Sequence, residues 1–339
     1  MAILVTGGAG YIGSHTCITL IGAGYDIIVF DNFSNASKES IQRVEKIVGK
    51  PITLIEGDIR NKTDLHTLFS QHSIEAVIHF AGYKAVGESV ENPLKYYDNN
   101  VGGSIALLET MQEFECKSLV FSSSATVYGD PEVIPIKENA SLTSTNPYAR
   151  TKHFIEEILQ DLHHSDPQWK IIRLRYFNPC GAHSSGHIGE DPNGDPNNLM
   201  PYITQTAIGK RSYLGIFGDD YDTHDGTGVR DYIHVVDLAQ GHLQALKKLS
   251  SLETLLTVNL STGKGYSVFD MLRAMEKATG RTIPYKILPR RAGDIAVCYA
   301  DTSYAKEVLE WEATRSIEEM CNDSWKWQSN NPNGYKGES

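Results

Sequence analysis

Two short patterns in the 339-residue chain bring together residue types that can do chemistry. Tyr148 and Lys152 stand four residues apart, a spacing that sets two side chains on one face of a helix. A phenol beside an ammonium suits withdrawal of an alcohol proton while the adjacent carbon gives up hydride. A free tyrosine with a pKa of about 10 is the wrong base at neutral pH, and bringing it near 7 takes about 4 kcal/mol. One cation about 4 Å away supplies that order of energy at an effective dielectric of ~20. The pair therefore predicts a Tyr148 acidified by Lys152, assisted by the positive charge of the hydride acceptor. With seventeen tyrosines in the chain, about one Tyr-x-x-x-Lys spacing arises by chance, so the pair gains weight only from its position.

The second pattern is the turn Gly7-Gly8-Ala9-Gly10-Tyr11-Ile12-Gly13. Gly8, Gly10 and Gly13 satisfy G-x-G-x-x-G, and Gly7, Gly10 and Gly13 satisfy the related G-x-x-G-x-x-G spacing. Either register lets the backbone approach a pyrophosphate whose charge meets the free N–H groups of a helix N-terminus. The turn follows an apolar run and opens an amphipathic stretch, and eighteen residues after Gly13 comes Asp31. A carboxylate there accepts hydrogen bonds from ribose hydroxyls and repels a 2′-phosphate, which favours NAD over NADP.

These residues must be positioned by the elements between them. Strand-like runs at 2–6, 26–30, 52–56, 75–80, 117–123 and 171–175 alternate with helical stretches at 11–23, 38–48, 62–71, 93–115 and 147–164. That alternation predicts an α/β fold with a doubly wound parallel sheet, the Rossmann arrangement. Asn146-Pro147 is a helix start that places Tyr148 in a first turn. The fifth strand ends Phe121-Ser122-Ser123-Ser124, at the carboxyl edge where such a sheet binds ligands. From about 179 a loop rich in Gly, Asn, Asp and Pro runs through His183 to Asn198. The expected division is 1–178 for the dinucleotide and 179–339 for a smaller α/β substrate domain, with part of 230–250 packing back on the first. Asn330 to Ser339 reads as too polar to be anchored.

A net charge of -11 argues against a nucleic-acid surface, and no apolar run approaches the roughly 18 residues a membrane span requires. Cysteines 17, 116, 180, 298 and 321 are odd in number and form no CxxC pair, as expected of reduced thiols in a cytosol. The opening Met-Ala-Ile-Leu-Val-Thr has no basic start or long apolar stretch, so a secretory leader is not expected and a cytoplasmic location is. His183, His187, Asp191 and Asp195 lack the spacing of a metal site. The acidic run Asp219 to Gly226 fails as a calcium loop because Tyr221 falls at its first position, so no metal is expected.

The dinucleotide turn, the serine-ended strand and Tyr-x-x-x-Lys resemble the extended short-chain dehydrogenases/reductases. Further stretches resemble the UDP-glucose 4-epimerase family within them: Phe80-Ala81-Gly82-Tyr83-Lys84, Ser122 to Gly129, Tyr176-Phe177-Asn178-Pro179, Pro196 to Pro201, Asp225 to His234, and Pro289-Arg290-Arg291. The resemblance spans essentially the whole chain. It implies withdrawal of hydride from C4 of a UDP-hexose, turnover of the 4-keto sugar, and return of hydride to the opposite face, with NAD tightly bound. It implies Tyr148, Lys152 and Ser124 as catalytic residues. For NAD it implies Gly7, Gly10, Tyr11, Ile12, Gly13, Asp31, Asn32, Asn35, Asp58, Ile59, Phe80, Ala81, Gly82, Lys84, Asn99, Ser122 and Phe177 alongside Tyr148 and Lys152.

For the nucleotide sugar the resemblance implies Ser124, Asn178, Asn198, Leu199, backbone of the Tyr213 to Phe217 strand including Gly215 and Phe217, Arg230 and Arg291 on phosphates, Asp294 on the ribose, and Cys298 beside the C2 substituent. Arginine's planar fork suits phosphate oxygens. The small Cys298 predicts acceptance of N-acetylated UDP-hexosamines. A homodimer through the 93–115 and 147–164 helices is also implied. A 4,6-dehydratase carries an Asp-Glu pair after the central Ser/Thr, whereas Ala125 and Thr126 follow Ser124 here, which disfavours dehydration. A 4-decarboxylase, a sugar-nucleotide reductase and a non-catalytic dinucleotide-binding protein stay open as alternatives. The family commonly has glycine after the tyrosine; Ala149 stands here and suits a helix.

Overall fold

The computed structural model describes residues 1–291 and 293–336. Six strands alternate with helices through the first half: β1 (Ala2–Thr6), α1 (Tyr11–Gly22), β2 (Ile27–Asp31), α2 (Lys38–Val48), β3 (Thr53–Glu56), α3 (Lys62–Gln71), β4 (Ile74–His79), α4 (Val86–Glu91), α5 (Pro93–Tyr96), α6 (Gly103–Glu113), β5 (Ser118–Ser124), α7 (Pro147–Ser165) and β6 (Lys170–Tyr176). Their ends are written in the local sequence. Ser37 caps α2 by accepting from the Glu39 amide, and Gly49 closes it in the left-handed region at φ 70°. Asn146 caps α7 by accepting from the Ala149 amide, with Pro147 in the first turn. Residues such as Ile-Ile-Val-Phe-Asp in β2 are buried throughout, as strands covered on both faces must be.

The second half continues with β7 (Asn178–Cys180), α8 (Leu199–Ala207), β8 (Leu214–Phe217), β9 (Val229–His234), α9 (Val235–Leu249), β10 (Leu256–Leu260), β11 (Gly265–Ser267), α10 (Val268–Thr279), β12 (Tyr285–Leu288), β13 (Val297–Cys298), α11 (Ser303–Leu309) and α12 (Ile317–Asn330). The main sheet runs β10-β6-β5-β4-β1-β2-β3, every neighbouring pair parallel. Strand order reverses between β1 and β4, which opens a crevice at their carboxyl ends. The seventh strand, β10, comes from the second half and pairs with β6 from Leu256 opposite Ile172 to Leu260 opposite Tyr176. The preceding α9 lies on α1, so that Leu238, Leu243 and Leu246 share one apolar cluster with Leu20 and Ile21.

A second core of Met200, Ile203, Leu214, Ile216, Tyr232, Met271, Met275 and Met320 joins α8, α10 and α12 to a four-stranded sheet of β7, β9, β11 and β13 and a parallel pair of β8 and β12. All five cysteines are free thiols. No helix among the described residues is long and apolar enough to cross a membrane.

Two sequence expectations need correction. The helix expected over 93–115 is interrupted: Tyr97–Gly102 form a π-helical stretch between α5 and α6. The irregularity turns Asn99 and Asn100 inward, and Asn100 binds the Tyr83 backbone at both N–H (2.8 Å) and C=O (3.0 Å). The tail expected to be loose is anchored through residue 336. The Tyr335 amide donates to Asp191 at 2.8 Å, its ring lies 4.9 Å from that of Trp327, and Arg43 reaches over both rings. Polar composition misled because one aromatic and one cation supply the anchor. Residues 337–339 lie outside the described residues.

Candidate active site

The glycine turn leaves β1 and enters α1 with no room for side chains. Gly7 has φ +69°, and a β-carbon there would sit 2.7 Å from the Ala81 nitrogen; one on Gly13 would sit 2.4 Å from the Gly7 carbonyl oxygen. Gly10 caps α1 without a side-chain hydrogen bond, so the first-turn donors stay available to an anion. Asp31 at the end of β2 accepts the Ala9 amide at 3.0 Å and the Phe33 amide at 2.9 Å, bracing the turn while each oxygen keeps a lone pair. Burial pushes its carboxyl above the usual range. Asn32 donates to Asp58 at 3.0 Å, and hydrogen bonds from Arg60 hold the Asp58 carboxyl well below the usual range. These features fit a dinucleotide: a cradle that any β-carbon would fill, a helix N-terminus, and an acid at the ribose position.

β5 ends in three serines that alternate in direction, as strand residues must. Ser122 and Ser124 reach the cleft, while the Ser123 hydroxyl donates to Glu156 on α7. Tyr148 sits in the first turn of α7, 9% exposed, its amide donating to the Ser89 hydroxyl at 3.1 Å. One turn on, the Lys152 ammonium donates to the Ser122 carbonyl at 2.6 Å and lies 4.9 Å from the centre of the Phe121 ring. Burial lowers the Lys152 pKa to about 8, partly offset by the Glu156 carboxylate.

The expected acidification of Tyr148 rests on the positive nicotinamide as well as Lys152, and in the chain by itself the phenol is not acidified. Burial pushes the phenol above its ordinary value, and only the Ser124 hydroxyl pulls it down. Lys152 does not reverse the shift because its ammonium is directed at the Ser122 carbonyl and is itself desolvated.

One cavity of about 1600 Å³ joins the glycine turn, the Tyr148 face and the second half of the chain. Every residue expected in the site lines it except Asp58, which lies behind Asn32, and Cys298, which packs half-buried near Phe177. Arg291 donates to Asp294 at 2.9 Å and stacks 4.8 Å from the centre of the Phe217 ring; Arg230 reaches the same carboxylate at 4.0 Å. Two guanidiniums, an acid and an aromatic face therefore meet at one end of the cleft. Sequence reasoning missed Glu190, whose Oε1 accepts from Lys84 at 3.0 Å and Asn198 at 2.6 Å. It also missed Tyr176, whose hydroxyl meets His242 at 2.7 Å. An acidic pair, Glu190-Asp191, amid Gly, Asn and Pro is the only sequence signal Glu190 leaves.

Three of the four candidate metal residues of the 183–195 loop go to separate partners: His183 to Ser185, Asp191 to Tyr335 and Asp195 to Arg211. Among the described residues one cluster has metal-like geometry, His224, Asp225 and Asp270, and it belongs to the cap of α10, where Asp225 accepts from Ser267 and Asp270 returns to the Ser267 amide.

Known proteins share this architecture. A family model described as GDP-mannose 4,6 dehydratase matches residues 4–324. The UDP-glucose 4-epimerase of Bacillus subtilis is 58% identical over 99% of both chains, and that of Mus musculus 56% identical over 98% of both. The crystal structure of UDP-glucose 4-epimerase from Bifidobacterium longum in complex with NAD+ and UDP superposes with a TM-score of 0.95 at 51% identity, covering 98% of this chain and 100% of that one. That of the Stenotrophomonas maltophila enzyme, with bound NAD and formylated UDP-arabinopyranose, gives 0.96 at 48% identity, covering 98% and 99%. With matching length, fold and cleft, the chain belongs to the UDP-glucose 4-epimerase family.

Proposed function

We propose that this chain interconverts UDP-galactose and UDP-glucose through a 4-keto sugar, with NAD held in the cleft throughout the cycle. The observation that carries this reading is that Tyr148, Lys152 and Ser124 line one cavity with both the glycine turn and the Arg230, Arg291 and Asp294 group. When bound, NAD supplies the acceptor and later the donor of the C4 hydride. Gly7, Gly10 and Gly13 give its pyrophosphate access to the first turn of α1, and Asp31 meets a ribose. At the other end Arg230 and Arg291 pair with the sugar nucleotide's phosphates, Phe217 covers its base, and Asn178 and Asn198 hold the diphosphate and sugar.

Ser124 holds the hexose O4 and passes its proton to Tyr148, which later returns it to O4 as the hydride comes back to the opposite face of C4. Burial raises the phenol's pKa in the free chain, so Lys152 and the positive nicotinamide of bound NAD together would favour its ionised form.

The division of labour is 1–178 for NAD and 179–339 for the nucleotide sugar, with the α9 and β10 region returned to the first. A homodimer is supported by the exposed apolar side chains of Leu94, Ile105 and Phe154, the last stacked on Tyr97 with ring centres 6.0 Å apart. Five free thiols accord with a cytoplasmic location. N-acetylated UDP-hexosamines form a second substrate class, favoured by the small Cys298 in the layer behind Phe177.

Tyr148→Phe tests the reading. It deletes one oxygen, so folding and NAD retention should persist while the rate of UDP-galactose conversion falls about 10²- to 10⁴-fold. Full speed in that variant overturns the mechanism, and no turnover by the unsubstituted holoprotein favours a dinucleotide-binding role.

A further inference from the structure

An ion pair beneath Tyr148 and Lys152 has no part in the reaction as just described. Glu156 lies one helical turn beyond Lys152, as Lys152 lies one turn beyond Tyr148, so all three share a face of α7. The Glu156 side chain is 1% exposed. Its Oε1 accepts from the Ser123 hydroxyl at 2.5 Å and from Arg175 Nε at 2.9 Å, and its Oε2 from Arg175 Nη2 at 2.5 Å. Arg175 enters from β6, is itself buried, and also donates to the Tyr128 hydroxyl and the Glu138 carbonyl, both at 3.0 Å. Two charged residues of one helix are thus tied to successive residues of one strand, Lys152 to the Ser122 carbonyl and Glu156 to the Ser123 hydroxyl.

The surroundings of Lys152 make that arrangement consequential. Among the described residues no carboxylate contacts it directly: the Ser122 carbonyl and the Phe121 ring are its near partners. His79 on β4 is neutral, since burial pushes its imidazole down to about 3. Tyr148 on α7 and Tyr176 on β6 are phenols that burial keeps protonated. Asn100 in the π-helical stretch is uncharged and takes up the Tyr83 backbone and Thr151. The charges on β6 are the cations Lys170, at its first residue, Arg173 and Arg175. Glu156 is the one anion among the described residues that acts appreciably on the ammonium.

We propose that Glu156, gripped by Arg175 and Ser123, is a positioning residue that keeps Lys152 an ammonium and fixes it against the end of β5. The proposal rests on the epimerase reading for its catalytic consequence, and for the charge of Lys152 on the placement of Glu156 one turn away on the same face of α7. A well-satisfied buried pair suits such a task because its hydrogen bonds allow the carboxylate a single placement.

The test uses the NAD-loaded protein with Glu156→Gln, which keeps the shape and loses the charge. Glu156→Gln/Arg175→Gln removes both members of the pair, so that no lone guanidinium is left buried. Two readouts are followed: the pH profile of kcat for UDP-galactose, and the ¹³Cε resonance of Lys152 in lysine-labelled protein, assigned with Lys152→Met. The expected result is that in Glu156→Gln the Lys152 titration and the alkaline limb of kcat both move down by about one pH unit or more while KM changes less than about twofold, and that the double variant, which gives up a cation with the anion, shows a smaller shift in the same direction. Glu156→Asp, which keeps the charge, should restore most of the limb. A uniform loss of rate with an unshifted Lys152 titration overturns the proposal and leaves Glu156 a packing residue. A shifted titration in a chain that turns over no sugar upholds the role of Glu156 and sinks the reaction reading, so the two failures are distinguishable.

Discussion

Replacing Lys152 with methionine removes an ammonium while keeping an unbranched stem of similar length, and it separates what this residue does for stability from what it does for chemistry. Burial brings the Lys152 pKa from 10.5 to about 8. At about 1.36 kcal/mol per pH unit this corresponds to ~3 kcal/mol of penalty on the charged form in the folded chain. Methionine also forfeits the hydrogen bond to the Ser122 carbonyl, worth about 1 kcal/mol net. The variant should therefore be more stable than the parent by about 2 kcal/mol at pH 7. The sign of the pH dependence follows from proton binding: between about 8 and 10.5 the unfolded chain holds a proton on Lys152 that the folded chain has released. Parent stability therefore rises across that window, and the advantage of the variant should disappear by its upper end. Urea melts of nucleotide-free protein at pH 7, 9 and 10.5 measure this, alongside the rate of UDP-galactose conversion, which should fall at least about 10²-fold. A variant that is less stable at pH 7, or whose advantage does not change with pH, refutes the reasoning.

Gly13→Ala forces a β-carbon to 2.4 Å from the Gly7 oxygen and 2.7 Å from the Gly8 α-carbon, so the turn must open; purified protein should carry little NAD by nucleotide extraction and lose about 1–3 kcal/mol of stability in a urea melt. Phe154→Glu places a charge in the exposed apolar patch of α6 and α7, and light scattering on a sizing column should show a dimer for the parent and a monomer for the variant. Cys298→Tyr should abolish conversion of UDP-N-acetylglucosamine while sparing UDP-galactose; equal loss of both activities in parallel assays overturns the proposed role of that position.

Much of the catalytic half was legible because its signals are local. The runs that became β1, β2, β4 and β5 are apolar on both faces and separated by periodic helices, and the Asn146-Pro147 start put Tyr148 in the first turn of α7. What escaped depends on distant partners. β10 looks like any apolar run, and its partner β6 lies far back in the chain. Nothing in Tyr97–Gly102 announces a π-helical stretch, because its cause is the reach of Asn100 to Tyr83. Arg175 reads as an odd cation in a strand until Glu156 is seen facing it. Motif reasoning gave Lys152 the right neighbourhood, but the burial that raises the Tyr148 phenol in the chain by itself has no sequence signature.

The place of β10 in the sheet has a consequence for biosynthesis. Until residue 260 leaves the ribosome, β6 presents a bare edge with Ile171, Ile172 and Leu174 unscreened, and α1 has no α9 to cover it. At about 5–20 residues per second, the roughly 80 residues between the two strands take ~4–16 s to make. During that interval the nascent nucleotide-binding half is a sticky, incomplete layer. Chaperone dependence should accordingly concentrate in that window, and messages that pause translation between the two strands should lower the yield of native protein.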